Sequence, residues 1–111
     1  MLARENRLRS AEDFRATMKT GRKSTAEHLV IYLNSSTSLA PARFGFVVAK
    51  TVGSAVQRNL VKRRARAAIR ERMGSFAAGQ DLVLRALPGL AEITWLEFCN
   101  ELDGCLKQTH N

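Results

Sequence analysis

A chain of 111 residues with 45% hydrophobic content suits one domain, residues 1–111, with a modest core, and is short for two. Its 18 Lys and Arg against 10 Asp and Glu give a formal charge of +8, which favours a polyanionic partner. The start, Met1 to Arg7, lacks the apolar region of a secretory signal, and no apolar run approaches the ~18 residues that cross a membrane, so a cytoplasmic protein is expected.

The charge is concentrated. Arg43, Lys50, Arg58, Lys62, Arg63, Arg64, Arg66, Arg70 and Arg72 face one acid, Glu71, so positions 43–72 carry the whole net +8. Seven bases against three acids fill positions 1–23, whereas two bases against five acids follow Met73. Two basic segments and an acidic C-terminal region imply one charged face. Cys99 and Cys105 stand six apart, a spacing that suits neither a local disulfide nor a zinc-binding pair, and are read as reduced thiols in or near the core.

In chain order, Ser10 is a good N-cap, Asp13 stands where a capping-box acid would, and Gly21 is placed to end a helix over about Ala11 to Thr20. The run His28 to Leu33 is β-branched, aliphatic or aromatic and stops at the polar cluster from Asn34 to Ser38, which predicts a strand and its loop. After Pro41, alternation puts Phe44, Phe46 and Val48 on one face and Gly45, Val47 and Ala49 on the other, a second strand expected to pair antiparallel with the first. Ser54 and Gln57 form a capping box that opens a long helix to about Met73, with Val61, Ala65, Ala68 and Ile69 as its apolar stripe. Asp81 to Leu87 predicts another strand. Thr94 and Glu97 cap a last helix with Trp95, Phe98, Cys99, Leu102 and Leu106 as its buried face. The order helix, two or more strands, basic helix, strand, helix means an α+β fold with one sheet.

Catalytic chemistry finds little support. His28 and His110 are the neutral-pH acid/base groups, neither sits in a recognisable motif, and no catalytic or metal-ligating set emerges. Glu12 and Asp13 more simply complement the positive end of the first helix. Lys50 and Gly53 near Ser54 lack the spacing of a phosphate loop. By contrast, Arg58, Lys62, Arg66 and Arg70 line up at i+4 spacing, flanked by Asn59 and Arg63, as a comb matched to phosphates. Ordinary surface helices interleave Glu with Lys, and this one leaves its self-repulsion unrelieved. Val30 and Tyr32 on a strand face, with Phe14 and Met18 on the first helix, read either as ordinary core or as a groove for unpaired bases, with Tyr32 expected to be partly exposed. A DNA-binding regulator would use the same helix, but a cationic comb contacts backbone and leaves few side chains to read base edges.

The segment 43–66 resembles the bacterial ribonuclease P protein family, whose pattern runs approximately R-x-G-x-x-x-x-K-x-x-G-x-A-V-x-R-N-x-x-K-R-x-x-R. Arg43, Gly45, Lys50, Gly53, Ala55, Val56, Arg58, Asn59, Lys62, Arg63 and Arg66 match in order and spacing. Asn6-Arg7-Leu8, Asp13-Phe14, Gly21 and the segment 81–88 extend the resemblance over nearly the whole chain. It implies a mixed sheet of about four strands with three helices, and a left-handed βαβ crossover of the ribosomal protein S5 domain 2-like kind. It also implies a protein subunit that binds a catalytic RNA through Lys50, Arg58, Asn59, Lys62, Arg63, Arg66 and Arg70. The 5′ leader of precursor tRNA would lie in a cleft of Phe14, Met18, Val30 and Tyr32. Hydrolysis and its Mg²⁺ would then belong to the RNA-based holoenzyme, with no metal site, obligate protein partner or membrane for this chain. The alternative is another RNA-binding protein, ribosomal or tRNA-associated. Three positions depart from the family: Leu60 for a common Arg, Met18 for a common aromatic and Thr51 for a frequent Lys.

Overall fold

The structure, a computed structural model, describes residues 2–110, and the side chain of His110 lies outside that description. Helix α1 spans Ala11–Thr20, capped by Ser10, whose Oγ accepts from the amides of Glu12 (3.1 Å) and Asp13 (3.3 Å). The Asp13 carboxylate does not close a capping box; it accepts from Arg43 Nη1 at 3.2 Å. Gly21 ends the helix for a steric reason, since a Cβ there would stand 2.5 Å from the Thr17 carbonyl oxygen and 3.1 Å from the Leu33 backbone.

Strand β1, Arg22–Thr25, follows at once, then β2 (Leu29–Ser35) and β3 (Arg43–Val47). Helix α2 covers Ala55–Glu71, β4 covers Gln80–Ala86 and α3 covers Trp95–His110. The polar sequence of β1 has no apolar alternation to announce it, as befits an edge strand. Its one buried side chain, Ser24, donates to Gln108 Oε1 at 2.5 Å.

The sheet order is β1-β2-β4-β3. The expected antiparallel pairing of β2 with β3 is therefore wrong, because β4 lies between them. The chain leaves β3, crosses one face of the sheet through α2 and returns as β4, parallel to β3 from Arg43↔Asp81 to Val47↔Arg85. On its other side β4 runs antiparallel to β2, from Leu29↔Ala86 to Ser35↔Gln80. The unbroken apolar run Leu82-Val83-Leu84, fully buried, is what a central strand covered on both faces requires.

Leu29, Ile31, Leu33, Phe44, Leu82 and Leu84 meet α2 and α3 in the main core. Helix α2 contributes the stripe expected of it, Val61, Ala65, Ala68 and Ile69, each at 0% exposure, and truncating Ile69 to Ala would cost about 2–5 kcal/mol. Helix α3 buries Phe98, Leu102, Cys105 and Leu106. Trp95 does not join them. Placed in the first turn beyond the sheet, it is 38% exposed and stacks on Phe98 with ring centroids 6.0 Å apart. Both thiols are free, Cys99 half-buried and Cys105 buried, and burial pushes the Cys105 thiol pKa up. On the opposite face of the sheet, Val30, Tyr32 and Val83 pack with Leu8 and the half-buried Phe14 and Met18 in a second, smaller cluster.

Candidate nucleic-acid interface

The start of α2 is locked by local chemistry. Gly53, at φ 156°, adopts backbone geometry that L side chains rarely tolerate, and a Cβ there would collide with the Gln57 amide. That amide oxygen accepts from the Ser54 N–H at 2.8 Å while Ser54 Oγ accepts from the Gln57 N–H at 3.2 Å, completing the predicted capping box. Arg58 reaches back to the Gly53 carbonyl at 3.1 Å.

From this anchored start, Asn59, Arg63, Arg66 and Arg70 are exposed along the helix, Arg58 and Lys62 are half-buried beside them, and Lys50 is exposed on the single 3-10 turn that precedes the helix. Among the described residues none of these cations pairs with a carboxylate. The other three bases of the 43–72 block are committed to the fold. Arg43 binds Asp81 and Asp13, Arg64 donates to the Ile93 carbonyl at 2.8 Å, and Arg72 binds Asp103. Asp103 drives the Arg72 pKa upward, chiefly by hydrogen bonding. The block charge read from the sequence thus overstates the outward charge, and what remains is concentrated on one helix face.

The groove residues come together as a cluster, but with less exposure than expected. Val30 and Tyr32 are only 4% and 6% exposed, so the expectation of a partly exposed Tyr32 is corrected. Packing with α1 closes on the ring, and Lys23, its register partner on β1, holds Nζ 5.9 Å from the ring centroid. Phe14 and Met18 form the accessible lip. Lys23 and the exposed Arg85, register partner of Val30, are cations on this sheet face that the sequence reading did not single out. Period-two alternation from Val83 to Arg85 was the available signal.

At the far side, the amide and Nδ1 of His28 both meet the Glu101 carboxylate, at 2.8 and 2.6 Å. That hydrogen bond is the main reason the His28 pKa is raised. No group of three or more His, Cys, Asp or Glu converges among the described residues. Asp13 and Asp81 do approach each other, but they share the Arg43 guanidinium, which supplies the positive charge a cation would bring. This donor set does not fit a Mg²⁺ site. No helix among the described residues is long and apolar enough to cross a membrane.

The family model described as Ribonuclease P matches residues 2–110. The ribonuclease P protein component of Pseudarthrobacter chlorophenolicus is 40% identical over 111 residues, covering 100% of this chain and 82% of the relative. That of a Nocardioides species is 42% identical, covering 96% and 92% of the two chains. Among solved structures, the Staphylococcus aureus RNase P protein superposes with a TM-score of 0.83 at 27% identity, covering 92% of this chain and 93% of that one. The Thermotoga maritima RNase P protein, solved with 1-(4-fluorophenyl)-2-thiourea, gives 0.80 at 30% identity over 91% and 97%. A helix whose outward cations find no carboxylate partner among the described residues, on a fold these structures match over about nine-tenths of the chain, agrees with the family match: the chain belongs to the ribonuclease P protein family, the protein component of the ribonucleoprotein that processes the 5′ end of tRNA.

Proposed function

We propose that residues 1–111 act as a single RNA-binding domain with two working surfaces. Lys50, Arg58, Asn59, Lys62, Arg63, Arg66 and Arg70 bind the catalytic RNA, and the lip of Phe14 and Met18 above Val30 and Tyr32 takes the 5′ leader of precursor tRNA. The observation that carries this is that the comb on α2 has no carboxylate partner among the described residues, even with Arg58 donating back to the Gly53 carbonyl, in contrast to Arg43, Arg64 and Arg72, which reach distant parts of the fold. Phosphates docking on the comb release counterions and lose their mutual repulsion, so a basic subunit assists two polyanions to approach each other. In this reading phosphodiester hydrolysis and its Mg²⁺ belong to the RNA, in the cytoplasm, and the protein raises substrate affinity. Reconstitution with a bacterial ribonuclease P RNA at low magnesium tests it. Restored removal of the leader is expected, and no gain over the RNA alone would overturn it.

A further inference from the structure

Helix α3 turns one face to solvent. Leu96, Asn100 and Gly104, four residues apart and therefore aligned along one side, are all exposed, Leu96 at 68%. Trp95, exposed beside Leu96, widens the apolar end of this stripe. Gly104 sits inside the helix, where only proline is a poorer residue, and a Cβ there would meet no atom within 4 Å. No turn and no packed neighbour among the described residues accounts for this glycine, and its missing side chain leaves a shallow dimple on the helix.

The stripe is complementary to itself. Leu96 and Gly104 stand at equal spacing on either side of Asn100, so an antiparallel copy crossing at Asn100 sets each Leu96 over Gly104 of the other, and the contact is made twice. The two Asn100 amides then meet on the axis, where each can donate to and accept from the other and so fix the register. Charge permits the approach: two molecules of net charge +8 repel through their α2 faces, whereas this face carries Glu97 and Asp103 against Lys107. Asp103, which falls opposite Glu97 of the second copy, is already matched by two donors of Arg72, and Lys107 is brought toward the exposed Glu92 and Glu97. A helix of another protein could fill the dimple, but it would give no reason for knob and dimple to be spaced evenly about Asn100.

We infer that α3 is a self-association face, through which the free protein forms a two-fold dimer with Leu96 seated on Gly104 of the second copy. One pair of helices buries less than the roughly 1,200 Å² of a stable complex, so the dimer is weak. The inference does not depend on the assignment of α2 to RNA. Arg64 and Arg72, which are not part of the comb, are the α2 cations that reach toward α3 and the turn before it, so the comb leaves from another side and stays open in both copies.

Sedimentation velocity of the RNA-free protein between about 10 μM and about 1 mM, the range of weak complexes, should show its mass rising from one chain toward two. The rise should survive about 0.5 M salt, because the contact is not a meeting of net charges. Leu96→Glu, at an exposed position, should keep the protein monomeric at every concentration. Gly104→Gln should do the same while raising the urea midpoint, since the new side chain finds open space in the single molecule and favours helix. A glycine needed only for the fold could not give that pair of effects. Should either variant misfold, the wild type decides: on dilution of ¹⁵N-labelled protein from about 1 mM, the amides of Leu96, Asn100 and Gly104 should shift and those of α2 should stay fixed. A wild type that remains monomeric at about 1 mM overturns the inference and leaves the stripe to a helix of another protein. Association that shifts α2 amides, or that Arg66→Ala abolishes, overturns it in favour of a different contact.

Discussion

The guanidinium of Arg43 grips the carboxylate of Asp81 through two parallel hydrogen bonds, 2.9 Å from Nε and 2.8 Å from Nη2, across the pair of parallel strands that α2 connects. The same side chain reaches Asp13 on α1, so Arg43 ties the starts of both parallel strands to the first helix. Arg43 is half-buried, and removing a charge-assisted bidentate contact in that setting costs about 1–2 kcal/mol. Arg43→Ala should therefore lower the urea midpoint, and Arg43→Lys should recover less than half of the loss because an ammonium cannot form the fork. An Arg43→Ala midpoint equal to wild type would show the pair to be idle.

How far the fold was legible follows from which forces are local. Capping boxes at Ser54 and Thr94 and the stripe from Val61 to Ile69 are set by neighbours in sequence, and all appear in the structure. Strand order depends on where α2 delivers β4, a long-range event, and alternation within β2 and β3 is silent about it. Likewise Arg43, Arg64 and Arg72 look like part of the comb until their distant partners Asp81, Ile93 and Asp103 are seen. Exposure of Tyr32 was misjudged because its cover, Lys23, comes from a strand with no apolar signature.

Salt dependence tests the comb. If Arg58, Lys62, Arg63, Arg66 and Arg70 each neutralise about one phosphate, a coefficient of roughly −0.7 per contact gives a slope near −3.5, about a hundredfold weaker binding from 50 to 200 mM salt. Arg66→Ala should flatten the slope by about one contact. Filter binding across a salt series measures both, and affinity for the catalytic RNA that is insensitive to salt would remove the electrostatic account.

The leader surface is tested through its lip. Tyr32→Ala empties a buried site and should cost about 3–5 kcal/mol of stability, so it confounds binding with folding. Met18→Ala acts at a half-buried side chain and should weaken precursor tRNA up to about tenfold relative to mature tRNA, while Tyr32→Phe should leave that preference nearly unchanged. Equal weakening of precursor and mature tRNA by Met18→Ala would dissociate this lip from the leader.

The link between His28 and Glu101 makes stability depend on pH. The folded pKa of His28 lies above its ordinary value of 6.5, so the protonated ring stabilises the fold fully below that value and its contribution fades as pH rises through the folded pKa. Glu27 and Glu97 add to the negative field at the ring. With the pair partly open to solvent, the change should not exceed about 1 kcal/mol. Denaturation of wild type and His28→Asn between about pH 5 and about pH 9 should show the wild-type advantage shrinking on the alkaline side. A constant difference would rule out proton linkage at this site.

Glu12 and Asp13, adjacent carboxylates in the first turn of α1, are the most plausible protein groups to suspect of catalysis, and the structure assigns Asp13 a different task, holding Arg43 at 3.2 Å. Asp13→Asn should consequently lower stability modestly, and Glu12→Gln, at an exposed position, should cost only the helix-end electrostatics, a few tenths of a kcal/mol. In the assembled ribonucleoprotein the chemical step at saturating magnesium should stay within about twofold of wild type for the double variant, because among the described residues neither carboxylate joins a group of three or more His, Cys, Asp or Glu. Loss of a true general base or metal ligand would instead slow that step about a hundredfold or more even at saturation. Single-turnover cleavage across a magnesium titration separates the two outcomes, with circular dichroism and RNA binding confirming that the protein is folded and bound. A hundredfold loss under those conditions would move part of the chemistry from the RNA into this chain.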